Sequence, residues 1–185
     1  MSQLSREEIL TKIKSGESLA GLDLTGADLS YEAMKGVDFS GADLTEAHLQ
    51  NSNLGGANFT GATLSRAFMF GCNLNNAILN DAVCEDTNMQ DSNLDNVTAQ
   101  NGNFTHVALL GSSMENANFS GSNLKRARLK RATLRGTIFD GCNMQNAHLV
   151  RSDLTNASFK GANLTDATLK NATTDGTNFE DAQGL

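Results

Sequence analysis

Residues 37–61 read VDFSG-ADLTE-AHLQN-SNLGG-ANFTG, and in this stretch a large apolar residue recurs at every fifth position. The same step begins at Leu24 and continues to Phe179 without a change of register, and 29 of its 32 positions hold Leu, Met or Phe. We call each of these positions a centre. A period of five matches neither the helical period of about 3.6 residues nor the strand period of about 2. A short fixed period over most of a chain indicates a solenoid.

Residues of fixed type surround each centre. Two positions before it stands a small residue, which is Ala in 16 of the 32 units. In an extended segment, residues two apart point the same way, so the small residue and the centre both face inward. Two positions after the centre, 25 of the 32 units have Gly, Asn or Asp, which tolerate the positive φ of tight turns. Each unit is therefore predicted to be a short extended side followed by a corner.

Six phenylalanines differ in number by multiples of 20, which indicates that four units close one coil. Their rings would then stack in one column at the strand spacing of about 4.8 Å, and eight coils would give a rod about 38 Å long. We predict that these rings form the structural core: Phe39, Phe59, Phe119, Phe139, Phe159 and Phe179.

Many units carry Ala, then Asp or Asn, then the centre, as at 27–29 (ADL), 57–59 (ANF) and 162–164 (ANL). This pattern resembles the A(D/N)LXX repeat of the pentapeptide-repeat proteins, and the resemblance covers about 160 of the 185 residues. The resemblance implies an all-β solenoid, namely a right-handed quadrilateral β-helix of about eight four-sided coils. Most members of that family have no assigned function, so the resemblance says more about fold than about activity.

The chain is expected to divide into three segments. Residues 1–21 would form an N-terminal capping helix and its connection, 22–181 the 32 pentapeptides, and 182–185 a short tail. Ser5 and Glu8 form an S-x-x-E capping box for a helix over residues 5–15, which should cover the first core layer. No such helix follows Phe179, so a monomer and an end-to-end homodimer both stay open.

Two places depart from the repeat. Glu32 occupies a small inward position, and because an unpaired charge is costly to bury, we expect a local distortion with Glu32 turned outward. The fourth coil has the small centres Cys84 and Ala99, and we expect Phe104 to lean into the space that Ala99 leaves. This coil is predicted to be the least stable level of the rod.

Composition limits the class of protein. The formal net charge is −7, with no Pro, no Trp and no apolar run long enough to span a membrane. The start of the chain lacks the apolar region of a signal peptide. Cys72, Cys84 and Cys142 fall on different coils, so a disulfide framework is not expected and a cytoplasmic location fits.

The sequence contains no pattern typical of catalysis. His48, His106 and His148 are predicted to lie on different coils and do not converge. No Cys/His spacing is typical of a metal site, and no phosphate loop or nucleophile elbow is present. We therefore expect a protein that is not an enzyme and has no metal or cofactor.

Some outward-facing residues are apolar. Phe68 and Phe70 flank the centre Met69, so both rings are expected to point to solvent, and Leu110 and Val150 follow Phe70 by 40 and 80 residues on the same side. These residues are either a stripe that binds a partner or scattered surface apolar side chains.

Charge is segregated along the predicted rod. An acidic collar surrounds the fourth coil: Asp81, Glu85, Asp86, Asp91 and Asp95. Higher up, adding 20 to residue numbers collects a basic face: Arg128, Lys130, Arg131, His148, Arg151 and Lys170.

Three functions are compatible with these features. The first is a rigid, non-catalytic rod that binds a protein partner. The second is implied by the family resemblance: some members imitate duplex DNA and bind DNA gyrase or topoisomerase IV, conferring quinolone resistance. The acidic collar favours this alternative and the basic face opposes it. The third is direct binding of nucleic acid or acidic lipid by the basic face, which the net charge of −7 disfavours.

Overall fold

The computed structural model describes residues 4–185, in which one helix is followed by a solenoid. The helix, α1, spans Arg6–Ser15. The rest of the chain forms single-residue parallel bridges that join residue i to residue i+20, from Asp23↔Asp43 to Asn163↔Gln183. The bridges recur at every fifth residue, so one turn of 20 residues carries four bridge positions. The predicted coil length of 20 residues is confirmed.

Backbone hydrogen bonds between coils explain why each unit is so short. The N–H of a centre donates upward, as from Leu29 to the carbonyl of His48 at 2.7 Å. The outward residue before a centre donates downward, as from Asp43 to the carbonyl of Leu22 at 2.9 Å. A corner then closes the unit with a positive φ, such as 59° at Asn51. The Gly, Asn and Asp residues of the repeat are therefore required by the corner geometry.

The core is filled by the centres and by the small residues that precede them. The rings of Phe39 and Phe59 stack with centroids 5.0 Å apart, and those of Phe139 and Phe159 stack at the same distance. Five of the six predicted core phenylalanines are fully buried, while Phe179, stacked on Phe159 at 5.4 Å, is only partly buried. The difference arises because no further coil lies above Phe179 in the described part of the chain.

The phenylalanine column is interrupted at Leu79 and Ala99, and a ring from another column fills part of the gap. Phe104 is fully buried and makes an edge contact with Phe119, with ring centroids 5.2 Å apart. Its ring also lies against Gly102, where an added Cβ would come within 2.5 Å of Phe104 Cε2. Phe104 thus leans toward the space above Ala99, as expected.

Polar residues at inward positions make hydrogen bonds to the backbone. Ser122 Oγ accepts from the N–H of Gly102 at 2.9 Å and donates to the carbonyl of Ala99 at 2.6 Å. Thr87 Oγ1 donates to the carbonyl of Leu64 at 2.7 Å. These bonds make buried hydroxyl groups compatible with the core.

Helix α1 covers the lower end of the solenoid. Ser5 caps it through a capping box with Glu8, and Gly16 ends it with φ 76°. Ile9 is 1% exposed, and Leu4, Leu10 and Ile13 pack against the same core. The predicted helix and its capping role are confirmed.

The expectation of a distortion at Glu32 is wrong in one respect. The carboxylate does lie at the surface, but the coil keeps its register, because the neighbouring bridge Ala33↔Asn53 is intact. Arg6 of α1 reaches the Glu32 carboxylate with an N–O distance of 2.6 Å. A partner from the helix therefore balances the charge without any change in the backbone.

Coil-to-coil pairing extends slightly beyond the segment 22–181. At the lower end, Leu19 is fully buried and its N–H donates to the carbonyl of Asp38 at 2.9 Å. At the upper end, Gln183 pairs with Asn163. Residues assigned to the connection and to the tail thus contribute one further unit at each end. No helix in residues 4–185 is long and apolar enough to cross a membrane.

Candidate interaction surface

One ladder of bridges runs the length of the solenoid and carries most of the candidate surface residues. Parallel bridges connect His48, Phe68, Asn88, Ala108, Arg128, His148 and Thr168 in that order. The residues two positions later form a second column beside it, and the corners form a third. We call these three columns the aromatic–basic face: His48 to Thr168, Gln50 to Lys170, and Tyr31 to Asn171 in steps of 20. The apolar stripe and the basic face, derived separately from the sequence, lie together on this face.

The lower part of this face is aromatic. Phe68 is 40% exposed and Phe70 is 39% exposed. The His48 ring stacks on Phe68 with centroids 4.8 Å apart, and Tyr31, at the corner below, is 74% exposed. The sequence analysis did not include Tyr31 and His48 among the interaction residues. The signal was available, since adding 20 to 48 gives Phe68.

The upper part of the face is cationic and free of internal neutralisation. Arg128, Lys130, Arg131, Arg151 and Lys170 are all exposed, and none forms an ion pair with another residue of 4–185. On other sides of the solenoid, basic residues do pair with carboxylates, for example Arg66 Nε with Glu46 Oε1 at 2.8 Å. The positive charge of this face is therefore available to a partner.

Two shallow depressions lie where the aromatic part ends and the basic part begins. The first, of about 230 Å³, is lined by Leu110, Arg128, Lys130, His148 and Val150. The second, of about 270 Å³, lies below it and shares Leu110 and Lys130, but it also contains Asp91. Leu110 and Val150 are half-buried, so they form depression walls more than a flat exposed stripe.

The acidic collar does not form a patch. Its five members lie at or next to all four corners of one coil: Asp81, Glu85, Asp86, Asp91 and Asp95. Two of them already have partners in the coil above. Asp95 Oδ1 accepts from the N–H of Glu115 at 2.9 Å, and Asp86 Oδ1 lies 3.3 Å from Nδ1 of His106. A flat partner would therefore meet only a part of the collar at once.

Corner residues one coil apart form ion pairs, as the alternating charges predicted. Besides Arg66–Glu46, Lys160 Nζ lies 2.9 Å from Glu180 Oε2. At one corner, Glu85, Asp86 and His106 offer ligand atoms within 4.8 Å of one another, and both carboxylates are exposed. We interpret this corner as a further rung of the charge ladder, since exposed pairs of this kind need no bound ion.

Reactive side chains are not gathered into an active site in the described residues. The three thiols are free and buried. Burial raises the pKa of Cys72 to about 11 and that of Cys142 to about 12, and it raises the pKa of Cys84 further still. A thiol of this kind stays protonated at neutral pH and is a poor nucleophile or metal ligand. His48 and His148 share a ladder but are separated by four intervening rungs.

The family can now be stated. The model of the pentapeptide repeats matches the chain in eight copies, over residues 38–76, 69–105, 101–141, 139–171 and 162–184. The chain belongs to the pentapeptide repeat family. None of the curated proteins matches it.

Solved structures of the same family resemble the chain at low identity. HetL from the cyanobacterium Nostoc sp. strain PCC 7120, described as involved in heterocyst differentiation regulation, is 21% identical over 99% of both chains, with a TM-score of 0.45. Trypsin-treated QnrB1, described as a plasmid-mediated fluoroquinolone resistance protein, is 17% identical over 86% of this chain and 91% of its own, with a TM-score of 0.42. A pentapeptide repeat protein of the Arabidopsis thaliana thylakoid lumen is 25% identical over 77% and 71%, with a TM-score of 0.30.

Proposed function

We propose that this protein is a non-catalytic, rigid rod that binds a protein partner through its aromatic–basic face. The fold we propose for the rod is the right-handed, four-sided β-helix that the family resemblance implies. The single observation that carries the proposal is the coincidence of exposed aromatic side chains and unpaired cations on one bridge ladder. Protein interfaces are enriched in aromatic residues and Arg, so this composition fits a binding surface.

Rigidity supports this role. Every coil is tied to the next by backbone hydrogen bonds of about the same length, and the corners hold their φ values near 60° throughout. A surface fixed in advance loses little conformational entropy when a partner binds. The three free thiols fit a reducing compartment, such as the cytoplasm.

The experiment that tests the proposal is affinity capture followed by direct binding. The tagged protein would be used to isolate partners from an extract of the source organism, and each identified partner would be purified and titrated. We expect a Phe68→Ser/Phe70→Ser variant to weaken binding by about tenfold or more, corresponding to about 1.4 kcal/mol. The matched control is Ile78→Ser, because Ile78 is 38% exposed but belongs to a different ladder, Asn58↔Ile78↔Thr98. Equal weakening by both variants would contradict the proposed face.

A second candidate function follows from the acidic collar and the net charge of −7. In this alternative, the protein would imitate duplex DNA and inhibit or protect DNA gyrase or topoisomerase IV. A DNA mimic needs negative charge along its length in place of phosphates. The collar is instead wrapped around one coil, and the aromatic–basic face carries the opposite charge, so we rank this alternative second.

Gyrase supercoiling in the presence of the purified protein separates the two candidates. Under our proposal, supercoiling and its inhibition by a quinolone are unchanged at micromolar protein. Inhibition or protection that disappears in a Glu85→Lys/Asp86→Lys variant would make the DNA-mimic function primary.

A further inference from the structure

The depression between Leu110 and Val150 has a local structural cause. Its ladder position is taken by Ala108, which is 1% exposed, between Asn88 below and Arg128 above. Since Ala has no side chain beyond Cβ, the surface recedes there. In the neighbouring column, Leu110 and Val150 lie one coil below and one coil above Lys130, and the exposed lining is mainly apolar.

The size of this depression favours a single side chain as its occupant. Its volume of about 230 Å³ is below the roughly 300–1,000 Å³ of typical small-molecule pockets. It is also open to solvent along a flat face, so a bound group would remain attached to something lying on that face. One apolar side chain projecting from a protein segment meets both conditions.

The charges around the depression select the neighbours of that side chain. Arg128, Lys130 and His148 belong to its lining, and Arg131, Arg151 and Lys170 lie on the columns beside and above it. As no carboxylate of residues 4–185 pairs with the Arg and Lys side chains, incoming carboxylates could make charge-assisted hydrogen bonds with them. The lower depression is different, because Asp91 already places a negative charge beside Lys130 and Arg131.

From these observations we infer that the upper aromatic–basic face binds an acidic protein segment that inserts one apolar side chain between Leu110 and Val150. The inference rests on the proposed function and specifies the chemistry of the partner. Each exposed ion pair adds only about 0.2–1 kcal/mol, so the apolar side chain and several carboxylates must act together. The segment would lie over coils five to eight and leave the Phe68 and Phe70 region to other parts of the partner.

A protein segment fits this surface better than a nucleic acid. Nucleic-acid surfaces combine cations that follow the backbone with aromatic rings on which bases stack. Here Phe68 and Phe70 lie on coils below all the cations of the face and do not alternate with them. The group that does lie among the cations is an aliphatic depression, which suits a side chain such as Leu and has no flat platform for a base.

Three labelled synthetic peptides test the inference by fluorescence polarisation at low salt. The first has a Leu flanked by Asp and Glu residues, the second replaces that Leu by Ser, and the third replaces the acidic residues by Lys. A fourth probe is a short DNA duplex. We expect the first peptide to bind the wild type most tightly, with a loss of about tenfold for the Ser peptide and no binding of the Lys peptide.

Variants of the protein then localise the binding. Lys130→Glu and Val150→Ser should each weaken binding of the first peptide by about tenfold. The matched control is Lys125→Glu, which changes the net charge by the same amount as Lys130→Glu but belongs to the ladder of Asn123 on another side of the same coil. Both lysines are surface residues, and thermal unfolding should show that all variants remain folded.

Several outcomes would overturn the inference. Equal loss in Lys125→Glu and Lys130→Glu would mean that only the overall charge matters. Equal affinity for the Leu and Ser peptides would remove the apolar depression from recognition, and tighter binding of the DNA duplex would assign the face to nucleic acid. Capture of a protein whose binding depends on Phe68 and Phe70 but not on Lys130 would keep the proposed function while rejecting this inference.

Discussion

Around Phe139, the core position of each coil is filled by a ring from the same column, whereas around Ala99 it is filled by a ring from a neighbouring column. Phe139 stacks between Phe119 and Phe159 at centroid distances of 5.8 and 5.0 Å. Above Ala99, the ring of Phe104 enters from the side and meets Phe119 edge-on. The first arrangement repeats a single solution, and the second depends on several residues that must fit one another.

The comparison shows which irregularities of the repeat are linked. Ala99 removes a large centre, Phe104 supplies a ring in its place, and Gly102 leaves room for that ring. Ser122 then bridges the backbone of Gly102 and Ala99. A change at one of these positions should therefore affect the others, whereas a change in the regular column should behave like the loss of one buried ring.

The largest expected effect is in the regular column. Phe139→Ala removes a fully buried ring and both of its stacking contacts, and should lower the free energy of unfolding by about 3–5 kcal/mol. Urea or guanidinium denaturation measures this change. The control is Phe179→Ala, which removes a partly buried ring with one stacking contact and should cost distinctly less. Similar losses in both variants would contradict the view that the last coil is packed less tightly.

The next effect concerns the side-entry arrangement. In Gly102→Ala, the new Cβ would meet Phe104 Cε2 at 2.5 Å and the carbonyl oxygen of Ala82 at 3.0 Å. Such overpacking should lower the free energy of unfolding by about 1–3 kcal/mol.

A double-mutant cycle with Phe104→Leu isolates the cause of this destabilisation. If the ring of Phe104 is responsible, the Ala side chain should cost less in the Leu background, with a coupling energy of at least about 0.5 kcal/mol. Strict additivity would show that the clash with the Ala82 carbonyl dominates instead.

A third prediction concerns the hydroxyl group that joins the two backbone segments. Ser122→Ala leaves the Gly102 N–H and the Ala99 carbonyl without this buried partner, and should destabilise by about 1–3 kcal/mol. Ser152→Ala is the matched control, because the carbonyl that Ser152 Oγ binds, that of Leu149, also accepts from the Ser152 N–H at 3.2 Å. The control variant should therefore be the more stable of the two.

The sequence was sufficient to predict the coil because the repeat has one register and each unit has one job. The period of five, the corner residues and the 20-residue spacing of Phe39 and Phe59 each specify one geometric quantity. The capping helix was equally predictable from Ser5 and Glu8. The pairing of Arg6 with Glu32 was not, because it depends on how the helix lies over the first coil, and no repeat rule describes that orientation.

The candidate surface was predictable only in pieces. Adding 20 to each number placed Leu110 above Phe70 and His148 above Arg128, but the apolar and basic sets were treated as separate features. Their union depended on following one ladder through Ala108, a small residue that attracts no attention in the sequence. The depression beside Val150 could not be inferred, because its depth depends on side-chain heights in adjacent columns. Its use by a partner remains our proposal.

The smallest expected effect distinguishes the lower phenylalanine level from the middle level by pH. The pKa of Asp38 is held below its usual range, first by the Ser40 N–H, then by the Ser40 hydroxyl and by that of Ser18 one coil below. Because the pKa is lower in the folded state, the contribution of Asp38 to stability is present above the aspartate pKa of unfolded chains, near 3.9. This contribution should be lost as the pH falls through the lower, folded-state pKa. The corresponding ladder positions at the middle level are Ile78 and Thr98, which do not titrate.

Asp38→Asn provides the comparison, since an amide oxygen makes the same bond at Asn58, which accepts from the N–H of Thr60 at 3.1 Å. We expect the difference in stability between wild type and Asp38→Asn to shrink as the pH falls below about 4, because protonation removes what distinguishes the carboxylate from the amide. Hydrogen exchange should show earlier opening at Leu19 and Phe39 in acid, with little change at Ala99. A pH response of equal size at both levels would mean that overall charge, and not the bonds of Asp38, governs acid stability.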